Sequence, residues 1–334
     1  MNYSETLDER VKTALLSKSN AVNDFFGGWK ESDLDILQRY RNTSQIEPKL
    51  GEIVDWLGIR TDAALHAWLP MPATGGKSIP SLPVPDDQVH AETIEYVGLL
   101  VGLERALRSG NKTFTVMELG ASYAPWATAA GVLAERTGFF KAINLVAVEA
   151  SKSSVPKILE HAARNGLLEN DGVKIQAIHG AIFTNDENVF FPKVNVAGDN
   201  GAQIQVAPGA QDYRGLKLEY DTVKGFRLAT LCAGYDRIDF LHMDVQGAEA
   251  ELLNNESFLS TLNARVATFF LATQSRLIEG IALQKLSGLG WVLVRERPTM
   301  YCQNNRTNDI NGWTLRDGGQ LWLNRKFGDH HVDL

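Results

Sequence analysis

The segment Ile238-Asp239-Phe240-Leu241-His242-Met243-Asp244-Val245-Gln246-Gly247-Ala248-Glu249 carries an apolar strand into a run of polar side chains. His242 and Asp244 are two residues apart, so a strand directs both to one face. Gly247 then permits a tight entry to a helix bearing Leu252 and Leu253. In open α/β sheets ligands lie beyond the carboxyl ends of the strands, where this segment ends. An imidazole titrating at about 6.5 is largely neutral at cellular pH and can take a proton. A lone strand histidine is more often a satisfied core group. It is Asp244, placed to orient the ring, that makes His242 a candidate general base.

Two earlier segments supply the rest of a binding site. The run Val116-Met117-Glu118-Leu119-Gly120-Ala121-Ser122-Tyr123-Ala124-Pro125-Trp126 places an acid at a strand end, then glycine and small residues opening a helix. Such a turn lets a ligand approach the backbone closely, although a plain structural turn has the same look. A G-x-G-x-x-G dinucleotide fingerprint fails here, because Ser122 and Tyr123 stand where further glycines are needed. The next strand ends in Val148-Glu149-Ala150, and an acid at that tip can accept both ribose hydroxyls of an adenosine nucleoside. Either feature alone is weak; together they favour a nucleoside cofactor over a solvated glutamate.

These residues need a scaffold, and the patterning provides one. Apolar strands are expected at Thr113–Leu119, 145–148, 174–178, 238–243 and 266–271, with helices at 126–136 and 155–165 between the first three. That alternation indicates a parallel sheet covered on both faces. A longer insertion, 183–235, reads as an antiparallel excursion through 189–196 and 203–206. Ahead of the sheet, residues 1–85 read as short helices and a Pro-rich linker, and 86–334 as the sheet domain. Leu7, Val11, Ala14 and Leu15 repeat at helical spacing, as do Leu34, Ile36, Leu37 and Tyr40, with Ser32 as a cap. Ile53, Val54, Leu57 and then 63–69 suggest two more short apolar faces, and a long helix is expected over 86–108. Helices this short need a partner, so they are expected to cap the sheet and help enclose an acceptor.

Bulk composition narrows the class. Hydrophobic residues at 44% and charged residues at 22% describe a globular chain able to bury a core. A net charge of −7 without any Lys/Arg-rich run argues against a nucleic-acid partner. No apolar stretch approaches the roughly 20 residues that span a bilayer, and the polar N-terminus is no signal peptide. A cytoplasmic protein without membrane contact is the expectation. Two cysteines give no disulfide framework, and no ligand cluster calls for a metal. A homo-oligomer is left open.

Three pieces taken in order resemble the FkbM-type methyltransferase family: Glu118-Leu119-Gly120-Ala121, then Glu149 with His161-Ala162-Ala163-Arg164-Asn165-Gly166, then Leu241 to Glu249. Asp244, Val245, Gln246, Gly247 and Glu249 fit the family's hallmark, and Leu271 to Gly280 followed by Gly290-Trp291 is similar to its fifth-strand region. The resemblance covers about 114–323. It implies a doubly wound, Rossmann-like class I methyltransferase sheet behind an N-terminal helical segment, with S-adenosylmethionine as cofactor. It implies that Glu118, Gly120, Ala121, Ser122 and Tyr123 form the methionine end, that Glu149 and Ala150 hold the ribose, and that His179 to Ile182, with Gly180 and Ala181, wall the adenine. Asp244 and Gln246 then line the floor by the reactive methyl, and Thr273, Gln274 and Ser275 stand on the acceptor side. The implied reaction is methylation of a hydroxyl on a sugar or natural-product intermediate, with His242 as base oriented by Asp244. One departure is that Ser122 and Ala124 replace common glycines, so the turn must avoid left-handed dihedrals or tolerate them at a cost. A nicotinamide oxidoreductase and a non-catalytic adenosine-binding module of a biosynthetic complex are the alternatives.

Overall fold

The computed structural model describes residues 27–193, 204–205, 219–303, 308 and 310–328. The expected helix over Leu7 to Leu15 lies outside the described residues. The second expected helix is present as α1 (Asp33–Tyr40), with Ile36 and Leu37 buried. Ser32 does not cap it through its side chain; instead the Asp33 carboxylate accepts the Lys30 amide at 2.7 Å.

Residues 43–69 correct the all-helical reading of the N-terminal segment. β1 (Glu52–Val54) pairs antiparallel with β2 (Arg60–Asp62) and parallel with β3 (Lys77–Ser78), and only a short 3-10 turn, Ala63–His66, is helical. β-branched Ile53 and Val54, followed by a turn through Gly58 at φ +80°, suit a hairpin better than a helix. The long helix also starts later than expected, as α2 (Thr93–Ser109). The Asp87 carboxylate accepts the amides of Val89, His90 and Ala91, which fixes 87–91 as a turn.

The sheet domain follows the expected alternation. β4 (Thr113–Leu119), α3 (Pro125–Thr137), β5 (Ala142–Glu149), α4 (Val155–Arg164) and β6 (Val173–His179) build one half. The excursion comprises β7 (Ala181–Ile182), β8 (Asn188–Pro192) and β9 (Tyr220–Phe226), with β8 and β9 antiparallel, and Gln205 makes a single bridge to Phe190. Then come α5 (Leu228–Leu231), β10 (Ile238–Met243), α6 (Glu249–Asn254), α7 (Glu256–Arg265), β11 (Val266–Thr273) and α8 (Arg276–Gly288). Two strands the periodicity does not reveal complete the sheet: β12 (Val292–Arg297) and β15 (Gly318–Leu323), after the small pair β13 (Met300–Tyr301) and β14 (Thr314–Arg316). β12 hides because it carries Arg295 and Arg297, both buried in the fold.

The seven strands run in the order β6-β5-β4-β10-β11-β15-β12. All neighbours are parallel except β15, which is antiparallel to β11 and β12. This is a doubly wound α/β sheet with one antiparallel strand inserted near its edge. Alternation along each strand feeds two cores. Phe114, Val116, Leu145 and Phe240 pack with α2 and α3, whereas Met117, Val146 and Leu241 pack with α6, α7 and α8. The first of these cores also takes Ile36, Leu37, Trp56 and Leu57, so the N-terminal segment shares its apolar interior with the sheet.

Two features set how closely that segment sits. Gly98 and Gly102 on α2 face the sheet, and a Cβ would lie 2.8 Å from Phe270 and 2.9 Å from Phe240 respectively. The helix therefore lies against the strands nearly backbone to ring. In addition, Arg295 of β12 donates from Nε and Nη2 to the Asp33 carboxylate of α1 at 2.8 and 2.6 Å, with both residues buried. Asp33→Ala should lower unfolding stability by roughly 3–5 kcal/mol, since it leaves the guanidinium charge buried and unpaired. Denaturant unfolding checks this, and Asp33→Leu with Arg295→Met should recover most of the loss.

Candidate active site

The chain order reverses between β4 and β10, the switch point where an open α/β sheet forms its crevice. A cavity of about 620 Å³ opens at the carboxyl ends of these strands, within the usual range for small-molecule sites. Strand register builds its floor. Glu118 of β4 stands beside His242 of β10, which stands beside Phe270 of β11.

Three buried carboxylates shape the loops around the opening, each using both oxygens on backbone amides. Glu118 accepts from Trp126 and Ala127 at 3.4 and 2.7 Å, tying down the start of α3. Glu149 accepts from Ser122 and from Ser151, each at 2.6 Å, linking the β4 and β5 turns. Glu249 accepts from Val245 and Gly247, each at 2.7 Å, closing the β10 turn on itself. Burial pushes the Glu118 and Glu249 carboxyls up to about 8, although the amides favour the charged form. Burial also raises Glu149, opposed by the amides of Ser151 and Ser122.

The turn after β4 has the conformation that glycines would normally supply. Gly120 has φ +77°, and Ser122 and Ala124 follow at +50° and +59°. Gln246 in the β10 turn is left-handed as well, at +57°. Each non-glycine residue there costs roughly 1–2 kcal/mol, so of the two sequence-level outcomes the chain takes the strained one. Gly120 admits no side chain, because a Cβ would run into the Asp244 carbonyl oxygen.

The expected cofactor residues come together around this space. Gly120, Ala121, Ser122 and Tyr123 border it from the β4 turn, Glu149 and Ala150 from the β5 turn. Gly180, Ala181 and Ile182 form the wall beyond them, and His242, Asp244 and Gln246 the far side. Thr273, Gln274 and Ser275 are a different matter, for none of them lines the cavity. The Thr273 hydroxyl is buried against Glu279 and Thr299, and Ser275 caps α8 by accepting the Ile278 amide. Gln274 reaches inward only to donate to Asp244 at 2.8 Å. Their polarity serves the β11–α8 junction.

His242 is 3% exposed and lies between two aromatic rings, Trp126 at 5.4 Å and Phe270 at 5.2 Å. Its Nε2 faces the Glu95 carboxylate of α2 at 3.2 Å, so Glu95 orients the ring in place of the expected Asp244. The Asp244 carboxylate instead accepts from the amides of Gln246 and Gln274. The His242 Nδ1 is buried and has no partner. Burial lowers this imidazole to about 4 and lifts Asp244 to about 7.

Several lining residues come from the segment that offered no motif. His66, Trp68, His90, Glu92 and Glu95 all face the cavity. His66 shares a hydrogen bond at 3.1 Å with the Tyr123 hydroxyl, which joins the N-terminal segment to the β4 turn. His90 pairs with Asp87 at 2.7 Å, and Tyr96 donates to the same carboxylate. A sequence signal existed in the pair Glu92 and Glu95, acids three apart at a helix start, but it reads equally as dipole pairing.

No protein-family model and no curated protein matches the chain in sequence. Among solved structures it is similar to the methyltransferase domain of METTL16, at 10% identity and TM-score 0.38, over 89% of this chain and 91% of that one. An O-methyltransferase from Bacillus cereus, solved with SAH, is similar at 11% and 0.33 over 79% and 91%. Precorrin 8w decarboxylase of Methanobacterium thermoautotrophicum is similar at 12% and 0.33 over 71% and 94%.

The β4 turn generates a direct expectation. Gly120→Ala should either fail to fold or lose at least about 3 kcal/mol, since a backbone carbonyl cannot move aside as a flexible side chain can. Thermal unfolding of the variant measures this.

Proposed function

We infer that the chain is an S-adenosylmethionine-dependent methyltransferase acting on a hydroxyl of a small molecule. The observation that carries this reading is the Glu149 carboxylate at the tip of β5, bordering the cavity next to a glycine-initiated turn. Each carboxylate oxygen spends one lone pair on a backbone amide and keeps another for a hydroxyl, which suits the paired hydroxyls of a ribose. Gly180, Ala181 and Ile182 offer a mainly apolar wall for a base, and Asp244 offers a carboxylate for a cationic centre. The volume accommodates a nucleoside cofactor together with part of an acceptor.

When bound, S-adenosylmethionine supplies a methyl group made electrophilic by its sulfonium. What remains for the protein is alignment and removal of one proton. His242 suits the second task. Burial keeps its ring neutral at pH 7, its Nδ1 is unpartnered, and Glu95 at Nε2 stabilises the imidazolium that forms when Nδ1 takes a proton. Trp126 and Phe270 hold the ring against rotation. Gln246 and Gln274 keep the Asp244 carboxylate fixed beside it. The resemblance of Asp244 to Glu249 to FkbM-type methyltransferases supports the hydroxyl acceptor. Among the described residues no helix is long and apolar enough to cross a membrane.

Two measurements test this reading. Glu149→Gln should weaken S-adenosylhomocysteine binding by roughly 1.5–3 kcal/mol, the size of a lost charge-assisted hydrogen bond. Calorimetry against S-adenosylhomocysteine, with NADH as control, reads the outcome; unchanged affinity in the folded variant, or tighter binding of NADH, sinks the assignment. His242→Ala should reduce turnover by about 10²–10⁴ while leaving cofactor affinity intact, and His242→Gln should not restore it. A large drop in melting temperature with near-normal activity per folded molecule would instead make His242 a packing residue.

A further inference from the structure

The charges around the acceptor end of the cavity are one-sided. Glu92, Glu95, Asp244 and Asp317 all line it, whereas the single Lys or Arg among the described lining residues is Lys157. Lys157 stands at the opposite end, where its charge acts on Glu149. Arg297 and Arg316 lie behind the wall and both serve Glu92, at 2.5 and 4.0 Å. Glu95 meets the His242 ring, neutral at pH 7, and shares a hydrogen bond with Glu92, with Arg297 near enough to act on its charge. Asp317 is exposed and, among the described residues, forms no ion pair. Burial first, and then the charge of Glu92, pushes Glu95 above the ordinary carboxyl range, with Arg297 opposing. A cation arriving between Glu92 and Glu95 would relieve that repulsion.

A second observation points to a ligand at the same place. The Nδ1 of His242, on a ring 3% exposed, is buried without a partner in the wall these acids share. Aromatic residues border the space as well, with Trp126, stacked on His242, in the wall and Trp68 standing 56% exposed at the rim. A metal ion is a poor fit, since no group of three or more His, Cys, Asp or Glu among the described residues is arranged to hold one. Carboxylates and aromatic faces together are the recognition set for an organic cation.

We propose that the acceptor carries an ammonium group held by Glu92, Glu95 and Asp317, beside the hydroxyl that His242 deprotonates; the acceptor class is an amino sugar or amino alcohol. This rests on the methyltransferase reading and adds the substrate's charge to it. The ammonium is a recognition group and not the nucleophile. Carboxylates that bind an ammonium favour its protonated form, which has no lone pair to attack with. The hydroxyl keeps its lone pairs and loses its proton to Nδ1.

The cofactor itself brings an ammonium, on its methionine end, so the test must separate two sources of positive charge. The full chain is titrated first with S-adenosylhomocysteine, then, with and without it, with matched triples of probes. These are glucosamine, glucose and glucuronate, and benzylamine, benzyl alcohol and benzoate. The amine should bind at least roughly tenfold more tightly than its neutral partner in one triple, with the anion weakest and the preference shrinking in high salt. Asp317→Asn should cost the amine roughly tenfold while leaving the neutral probe and S-adenosylhomocysteine unchanged, and Asp317→Lys should reverse the preference. Equal binding of amine and neutral probe, or no amine binding at all, overturns the proposal. So does an Asp317→Asn variant that loses S-adenosylhomocysteine affinity, because the acids would then serve the cofactor's own ammonium. If wild-type protein fails to bind S-adenosylhomocysteine, the methyltransferase reading falls, and the amine preference measured without it still decides this one.

Discussion

Everything around the cavity depends on carboxylates placed where strands run out of hydrogen-bond partners. At the carboxyl end of a parallel strand the chain must turn, and its next amides no longer have a neighbouring strand to pair with. Glu118, Glu149 and Glu249 each supply two acceptor oxygens to such amides. Desolvating a carboxylate is costly and is tolerated only with good partners. Here the partners are the loops themselves. The same interaction satisfies the turns and fixes their shape, so the cavity edge is held by backbone contacts that side-chain motion alone does not disturb.

That rigidity permits the left-handed residues. Ser122, Ala124 and Gln246 hold conformations that an unrestrained chain would leave. The Ser122 amide is held by Glu149, and the turn containing Gln246 is closed on both sides by Glu249. In return the turns present small or amide side chains where bare glycine backbone would otherwise face the ligand. Asp244 profits directly, since Gln246 can reach its carboxylate only from this turn.

The central half of the sheet was legible because its signals are local. A buried strand followed by Glu and Gly at 118–120, or by Asp, Gln and Gly at 244–247, announces a strand end and a turn within a few residues. Glu149 was legible for the same reason. What escaped was non-local. Thr273, Gln274 and Ser275 look like a polar strand end facing a ligand, yet Glu279 and Thr299 take the Thr273 hydroxyl, Asp244 takes the Gln274 amide, and Ser275 caps α8. Thr299 and Asp244 stand 26 and 30 residues from their partners in sequence, so no local pattern announces those two contacts. Glu95 reads as an ordinary helix-start acid, and its meaning comes from a histidine 147 residues away. The N-terminal strands were misread because three-residue strands carry too little periodicity to be told from short apolar helix faces.

The two glycines of α2 have a consequence for how the molecule comes together. At Gly98 and Gly102 no side chain stands the helix off the sheet, so its backbone meets the rings of Phe270 and Phe240 directly, while Arg105 reaches across to Ala267, Thr268 and Asn324. Docking of α2 on β10 closes a loop of well over a hundred residues, which carries an entropic cost. Until that event His242 lacks Glu95, the hydrogen-bond partner of its Nε2. The pairing of Glu95 with His242 is thus a property of the finished fold, absent from either segment alone.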